Sequence, residues 1–180
     1  MDPKEEIKNL FENYGNRDYI GESISQLEHA LQSAHLAEEN GCGREMILAS
    51  LLHDIGHLVV YQMDNSLFLT KIQSYGIQNH EKIGADYLRS LGIGGDIPDL
   101  IEGHVYAKRW LARDKSYFEK LSPASQNTLI HQGGPLSVEE SKEYLKHPLH
   151  QKFTQLRLFD DSAKIIGKVT PDLEHYLSMI

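Results

Sequence analysis

Residues 51–58 read LLHDIGHL: two leucines lead into His53 and Asp54, Gly56 follows, and His57 comes just before the end of the stretch. An imidazole and a carboxylate at the end of an apolar run lose hydration, and burying a polar group without a partner costs roughly 2–7 kcal/mol. A metal ion is the natural compensating charge. The chain has 10 histidines in 180 residues, dispersed rather than clustered as in a tag. His29, His53, His80 and His104 fall singly on helical stretches, and Asp54 with Asp160 or Asp161 adds carboxylates. In a helical bundle these side chains can converge, and four imidazoles with two carboxylates suffice for two metals. Neighbouring side chains on a helix diverge by about 100°, so Asp54 can lie between two ions while His53 reaches only one.

The single cysteine, Cys42, allows no internal disulfide and no thiolate pair, so any metal is held by nitrogen and oxygen. That donor set suits a six-coordinate, redox-capable metal such as iron better than a structural zinc. Two such ions serve either hydrolysis or oxygen chemistry, and the ligands alone leave both open. Lys108 follows His104 by four residues, shares its helix face, and would pair with an anionic oxygen near the metals. The net charge of −8 argues against a nucleic-acid surface or an anionic membrane as partner. There is no apolar run of 18 residues, and MDPKEEIKNL lacks the apolar core of a signal peptide. The expectation is a cytoplasmic protein of one domain, residues 1–180.

Start and stop signals predict the helices that must position these residues. Asp2, Pro3 and Glu5 suggest an N-cap, a first-turn proline and a capping box for a helix ending near Tyr14. Leu27, Ala30, Leu31, Ala34 and Ala37 form an apolar seam closed by Gly41; a denser one in REMILASLLHDIG predicts a central helix with His53 and Asp54 at its C-terminal end. Residues 59–79 lack a sustained period and are expected to form a long excursion with one short helix, whose length would allow a lid. Helices resume at HEKIGADYLRSLG, IPDLIEGHVYAKRWLAR, SPASQNTLIHQGG with Ser122 capping, VEESKEYLKH with a Ser137–Glu140 capping box, KFTQLRLFDDSAK, and briefly after Pro171. His35, His131, His147, His150 and His175 lie in polar surroundings or near helix ends and are read as surface residues.

HDIGH resembles the signature of the HD-domain superfamily, an all-α bundle with a dinuclear metal site, and His29, His53, Asp54 and a late carboxylate match its H…HD…D pattern. His80 and His104 resemble the extra ligands of its two-metal branch. The similarity extends to YIGESISQLEH, HVYAKRWL, LSPASQNTLIHQGGPLS and LRLFDDSAK, which together resemble the PhnZ-type mixed-valence diiron oxygenases of organophosphonate degradation. That resemblance implies two iron ions, Fe(II)/Fe(III), with O₂ as co-substrate. It implies C–P cleavage of a 1-hydroxy-2-aminoethylphosphonate, with or without N-methylation, to phosphate and an amino acid such as glycine. It assigns Tyr19 and Glu22 to closing over the metals, and His57, Lys108, Ser125 and Thr128 to the substrate. Asp160, four residues before Lys164, takes the last ligand position by similarity to the inositol oxygenases, with Asp161 the alternative. Phe159 stands where tryptophan is common. A dinuclear phosphohydrolase would use the same ligands and Lys108, whereas a metal-binding scaffold would not gather Tyr19, Glu22 and Lys108 at the metals.

Overall fold

The computed structural model describes residues 2–19, 21–63 and 77–180. In chain order α1 is Pro3–Tyr14, α2 Gln26–Glu39, α3 Arg44–Leu52 and α4 Ile55–Gln62. After the undescribed residues come α5 His80–Ser90, α6 Ile97–Leu111, α7 Lys115–Lys120 and α8 Pro123–His131. The remainder are α9 Val138–Lys146, α10 His150–Ser162 and α11 Leu173–Leu177. No named strand occurs among the described residues; one isolated antiparallel bridge joins Asp18 to Ser25.

Side-chain caps explain several of these starts. Ser25 and Glu28 form a reciprocal capping box on α2, and Ser137 and Glu140 form another on α9. Ser122 accepts from Ser125 N with Pro123 in the first turn of α8. At α1, Asp2 accepts from Lys4 N as an N-cap, but Glu5 makes no reciprocal bond, so the expected capping box is a simple cap.

The central helix departs from expectation. REMILASLLHDIG is two helices, not one: α3 ends at Leu52, and His53 and Asp54 form the turn before α4. Residues 59–62, expected to be irregular, complete α4, because Leu58, Val59 and Val60 continue its buried face. Residues 64–76 of the expected lid lie outside the described residues.

The core places α2 on α3, α5 on α4 and α6, and α10 on α6. Leu48, Leu51, Leu52, Ile55, Leu100 and Leu156 are buried at its centre, each contributing roughly 1.5–3 kcal/mol of apolar burial. One crossing depends on glycine. A methyl on Gly56 would collide with the His80 carbonyl oxygen, and one on Gly84 would sit 3.1 Å from Gly56 N. Backbone therefore meets backbone where α4 crosses α5, which brings the start of α5, and His80 with it, beside Asp54.

Candidate metal centre

Three helices and one turn each deliver one imidazole to a shared cluster. His29 comes from the first turn of α2, His53 from the α3–α4 turn, His80 from the start of α5 and His104 from the middle of α6. All four are buried. His29, His53 and Asp160 place one ligand atom each within 4.8 Å of one another, and Asp54, His80 and His104 do the same.

Asp54 connects the two groups. Its Oδ2 lies 3.2 Å from His53 Nε2 and 3.6 Å from His29 Nε2, while Oδ1 lies 3.2 Å from His80 Nε2 and 3.7 Å from His104 Nε2. The break between α3 and α4 permits this division: Asp54 is the non-helical residue at the α4 N-terminus, its side chain makes no cap bond, and both oxygens remain for the cluster.

The imidazoles are oriented by backbone. Nδ1 of His29, His53, His80 and His104 meets the carbonyl oxygens of Ala163, Ser50, Ile77 and Ile101 at 2.9, 2.8, 3.2 and 2.6 Å. A carbonyl only accepts, so each Nδ1 carries the hydrogen and each Nε2 turns a lone pair inward. Yet the Nε2 atoms of His29 and His53 are 3.1 Å apart, and those of His80 and His104 are 3.2 Å apart. Lone pairs at that separation repel unless a proton or metal cation lies between them. Asp160 Oδ1 is buried with no hydrogen-bond partner among the described residues, 3.3 Å from His29 Nε2. Orphaned acceptors converging on two points are what a pair of cations requires, and this arrangement of carbonyl-held histidines is characteristic of metal ligation.

Charges in the metal-free cluster follow the same logic. Burial alone would strip His53 of its proton, but Asp54 and Asp160 outweigh it and raise the pKa to about 9. Burial opposes the charge on Asp54 as well, yet His53 and His80 hold the carboxyl well below the usual carboxylate range. Burial and His80 push His57 down to about 3, so it is neutral. Its ring stacks on His80 with centroids 4.3 Å apart, its Nε2 is 3.9 Å from Asp54 Oδ1, and its Nδ1 is buried without a partner.

Asp160 and Asp161 divide sharply. Asp160 is 2% exposed; Oδ1 faces the histidines and Oδ2 takes 2.8 Å from Arg157 Nη1. Asp161 turns away and pairs with Arg157 Nη2 and the Tyr117 hydroxyl. Against its own burial, Asp160 is held well below the usual range, Arg157 being the chief cause.

A cavity of about 70 Å³ opens on this cluster, lined by Tyr19, Glu22, His57, Lys108, Ser125 and Thr128 together with Gln132, Arg157 and Lys164. The Tyr19 ring stacks on His29 with centroids 4.0 Å apart, and burial with Asp54 and Asp160 nearby raises its phenol well above the ordinary value. Lys108 is 3% exposed, and Nζ donates to two neutral acceptors, Thr128 Oγ1 at 2.6 Å and Gln132 Oε1 at 2.9 Å. Burial, reinforced by Arg157, lowers its pKa to about 7.

Tyr19, Glu22, His57, Lys108, Ser125 and Thr128 thus line one space with Asp54, His80, His104 and Asp160, His29 and His53 join them through the ligand group that includes Asp160, and a scaffold that leaves Tyr19, Glu22 and Lys108 apart does not describe it. Arg157, Gln132 and Lys164 were missed. Arg157 carried a readable signal, three residues before Asp160 on one helix; Gln132 lies just past the end of α8 and Lys164 in the segment after α10, where periodicity gives no direction. Of the histidines read as surface, His131, His147 and His175 are exposed, the last bonding Glu38 at 2.9 Å, whereas His35 and His150 are half-buried.

The HD domain model matches residues 27–146. Over 97% of this chain, an uncharacterized protein of Acanthamoeba polyphaga mimivirus is 43% identical, with 78% of its own length covered. A hydroxymethylphosphonate dioxygenase of Gimesia maris is 40% identical over 97% of this chain and 86% of its own. A [1-hydroxy-2-(trimethylamino)ethyl]phosphonate dioxygenase (glycine-betaine-forming) of Leisingera caerulea is 36% identical over the same shares.

Proposed function

The chain belongs to the HD-domain family, and we propose that within it the protein is a diiron oxygenase that uses O₂ to break the C–P bond of a small 1-hydroxyphosphonate. The substrate we assign is a 1-hydroxy-2-aminoethylphosphonate, with or without N-methylation. Its reaction, R–CH(OH)–PO₃H₂ + O₂ → R–COOH + H₃PO₄, gives phosphate and an amino acid such as glycine. The relatives named above as phosphonate dioxygenases support this reading.

One observation carries it. The cavity lined by Asp54, His80, His104 and Asp160 also contains Lys108, a buried amine whose hydrogen-bond partners are neutral. A cation so placed favours an anionic guest beside the metals. The cavity is far smaller than the roughly 300–1,000 Å³ of sites for drug-sized ligands, which favours a compact phosphonate over a nucleotide.

His29, His53, Asp160 and Asp54 Oδ2 would hold one metal, and Asp54 Oδ1, His80 and His104 the other. When bound, iron at these positions supplies the electrons that activate O₂. The His80–His104 side has fewer protein donors, and that is the side His57 stacks against, so substrate oxygens have room there. Lys108 with Thr128 would fix the phosphonate, and neutral His57 offers Nδ1 as an acceptor for a substrate hydroxyl. Tyr19, against His29, would keep water out until the substrate enters.

The test is anaerobic loading with Fe(II), then phosphate release from the two substrates named for the relatives and from 1-hydroxy-2-aminoethylphosphonate. Release that requires O₂, with a mixed-valence diiron EPR signal that shifts on adding substrate, is expected. Equal release without O₂ would establish a hydrolase instead.

A further inference from the structure

Arg157 divides its guanidinium between two consecutive carboxylates, and the division determines what Asp160 can offer a metal. On α10 Asp160 follows Arg157 by three residues and Asp161 by four, so both reach the same side chain. Nη1 donates to Asp160 Oδ2 at 2.8 Å, and Nη2 donates to Asp161 Oδ1. Arg157 is 4% exposed, and its Nε is buried with no hydrogen-bond partner among the described residues, so the plane of the guanidinium is set by its Nη atoms.

A guanidinium beside a single carboxylate commonly takes both oxygens in two parallel N–H···O bonds. Here that fork is opened. Asp161 occupies the second arm, and Asp160 Oδ1 is left 3.3 Å from His29 Nε2 with no hydrogen bond. Without Asp161 nothing would hold Nη2 aside, and the guanidinium would turn onto Asp160 and cover the oxygen that faces the histidines.

Asp161 is held in turn from outside α10. Its Oδ2 accepts from the hydroxyl of Tyr117 on α7. That short helix is fixed at both ends: Asp114 accepts from Ser116 N at 2.8 Å, and Gln126 Nε2, from α8, donates to the carbonyls of Phe118 and Leu121 at 3.1 Å each. Tyr117 is thus a fixed post, and each oxygen of Asp161 has a partner.

We propose that Asp161 and Tyr117 are positioning residues for the metal centre: by holding the second arm of Arg157, they keep Asp160 Oδ1 free as a ligand. The consecutive aspartates then have complementary tasks, one facing the histidines and the other keeping it available. This role depends on the metal centre and not on the reaction run there, so an oxygenase and a hydrolase would need it alike.

The His104→Ala background leaves the His29–His53–Asp160 group intact, and calorimetric titration of the metal-free protein with Fe(II) under anaerobic conditions reads that group. Asp161→Ala is expected to bind at least about tenfold more weakly, as loss of a group that orients a ligand implies. Tyr117→Phe should bind severalfold more weakly, and Asp161→Glu, which can still take the second arm, close to the background. Adding Arg157→Met to Asp161→Ala removes the arm that covers Oδ1 and is expected to recover most of the loss, whereas a merely structural role would lose more with each buried side chain removed. Should Asp161→Ala fail to fold, Tyr117→Phe, alone and with Arg157→Met, is read by the same signs. Asp161→Ala within twofold of the background, or a double variant that binds no tighter than Asp161→Ala, would overturn the proposal. Absence of Fe(II) binding in the background itself would overturn the ligand group and the proposal with it.

Discussion

His29 and His53 bring their Nε2 atoms to 3.1 Å while both Nδ1 atoms are spent on backbone carbonyls, those of Ala163 and Ser50. Neither ring has a hydrogen to give the other unless one of them is protonated. In the metal-free protein that proton falls to His53, whose pKa is raised to about 9.

Metal binding should therefore release a proton. A pKa raised above the usual 6.5 means that the proton stabilises the metal-free fold fully below pH 6.5 and is lost as pH rises through about 9. Between those limits a metal displaces it. Calorimetry at pH 7.5 in buffers of different ionisation enthalpy should show heats that depend on the buffer, fading above pH 9. Heats independent of buffer at pH 7.5 would contradict the assignment of both Nε2 atoms as ligands.

Asp54→Asn should cost both metals together. An amide offers one neutral oxygen where the carboxylate offers one to each group at 3.2 Å. Metal analysis after gel filtration is expected to fall from two equivalents to under one, whereas His104→Ala should spare the His29–His53–Asp160 group. Retention of two equivalents by Asp54→Asn would refute the bridging role.

Gly56→Ala tests the backbone crossing. The added methyl must force α4 from α5, because the obstacle is the His80 carbonyl and not a movable side chain. Overpacking of this kind costs roughly 1–3 kcal/mol, or about 2–12 °C in Tm for a chain of this size. Since His80 moves with the carbonyl, affinity at the His80–His104 side should fall too, and a calorimetric scan with metal titration reads both.

Lys108→Met should separate stability from binding. A lysine whose pKa is lowered to about 7 opposes folding while it is charged, and the penalty shrinks as pH rises from about 7 towards its usual 10.5. The substitution is therefore expected to raise Tm at pH 6 and to raise it less at pH 9. Phosphonate affinity should drop at least about tenfold in the same variant, as loss of a charged hydrogen-bond donor implies. A lower Tm at pH 6 would show that the amine is a net structural support.

Much of this was legible in one dimension. Ser122, Ser137 and Glu140 announced helix starts because capping is a contact between residues three apart, and the seam Leu27, Ala30, Leu31, Ala34 and Ala37 announced α2 because a helix repeats every 3.6 residues. The adjacency of His53 and Asp54 after Leu51 and Leu52 announced a metal for the same local reason: two polar groups end an apolar run. The tertiary structure decided what depends on distant segments. Asp160 was preferred to Asp161 only by a likeness in its spacing to Lys164; the physical separation arises because α10 turns Asp160 towards His29, 131 residues earlier in the chain, and Asp161 towards Tyr117. Gly56 lies inside α4, and its lack of a side chain is required by the oxygen of His80. Lys164 had no helix face to assign it, and its place between Ser125 and Glu22 arises from three segments meeting. Periodicity and capping act within a turn or two of helix, whereas the shared point at which charges must cancel is set by packing across the whole chain.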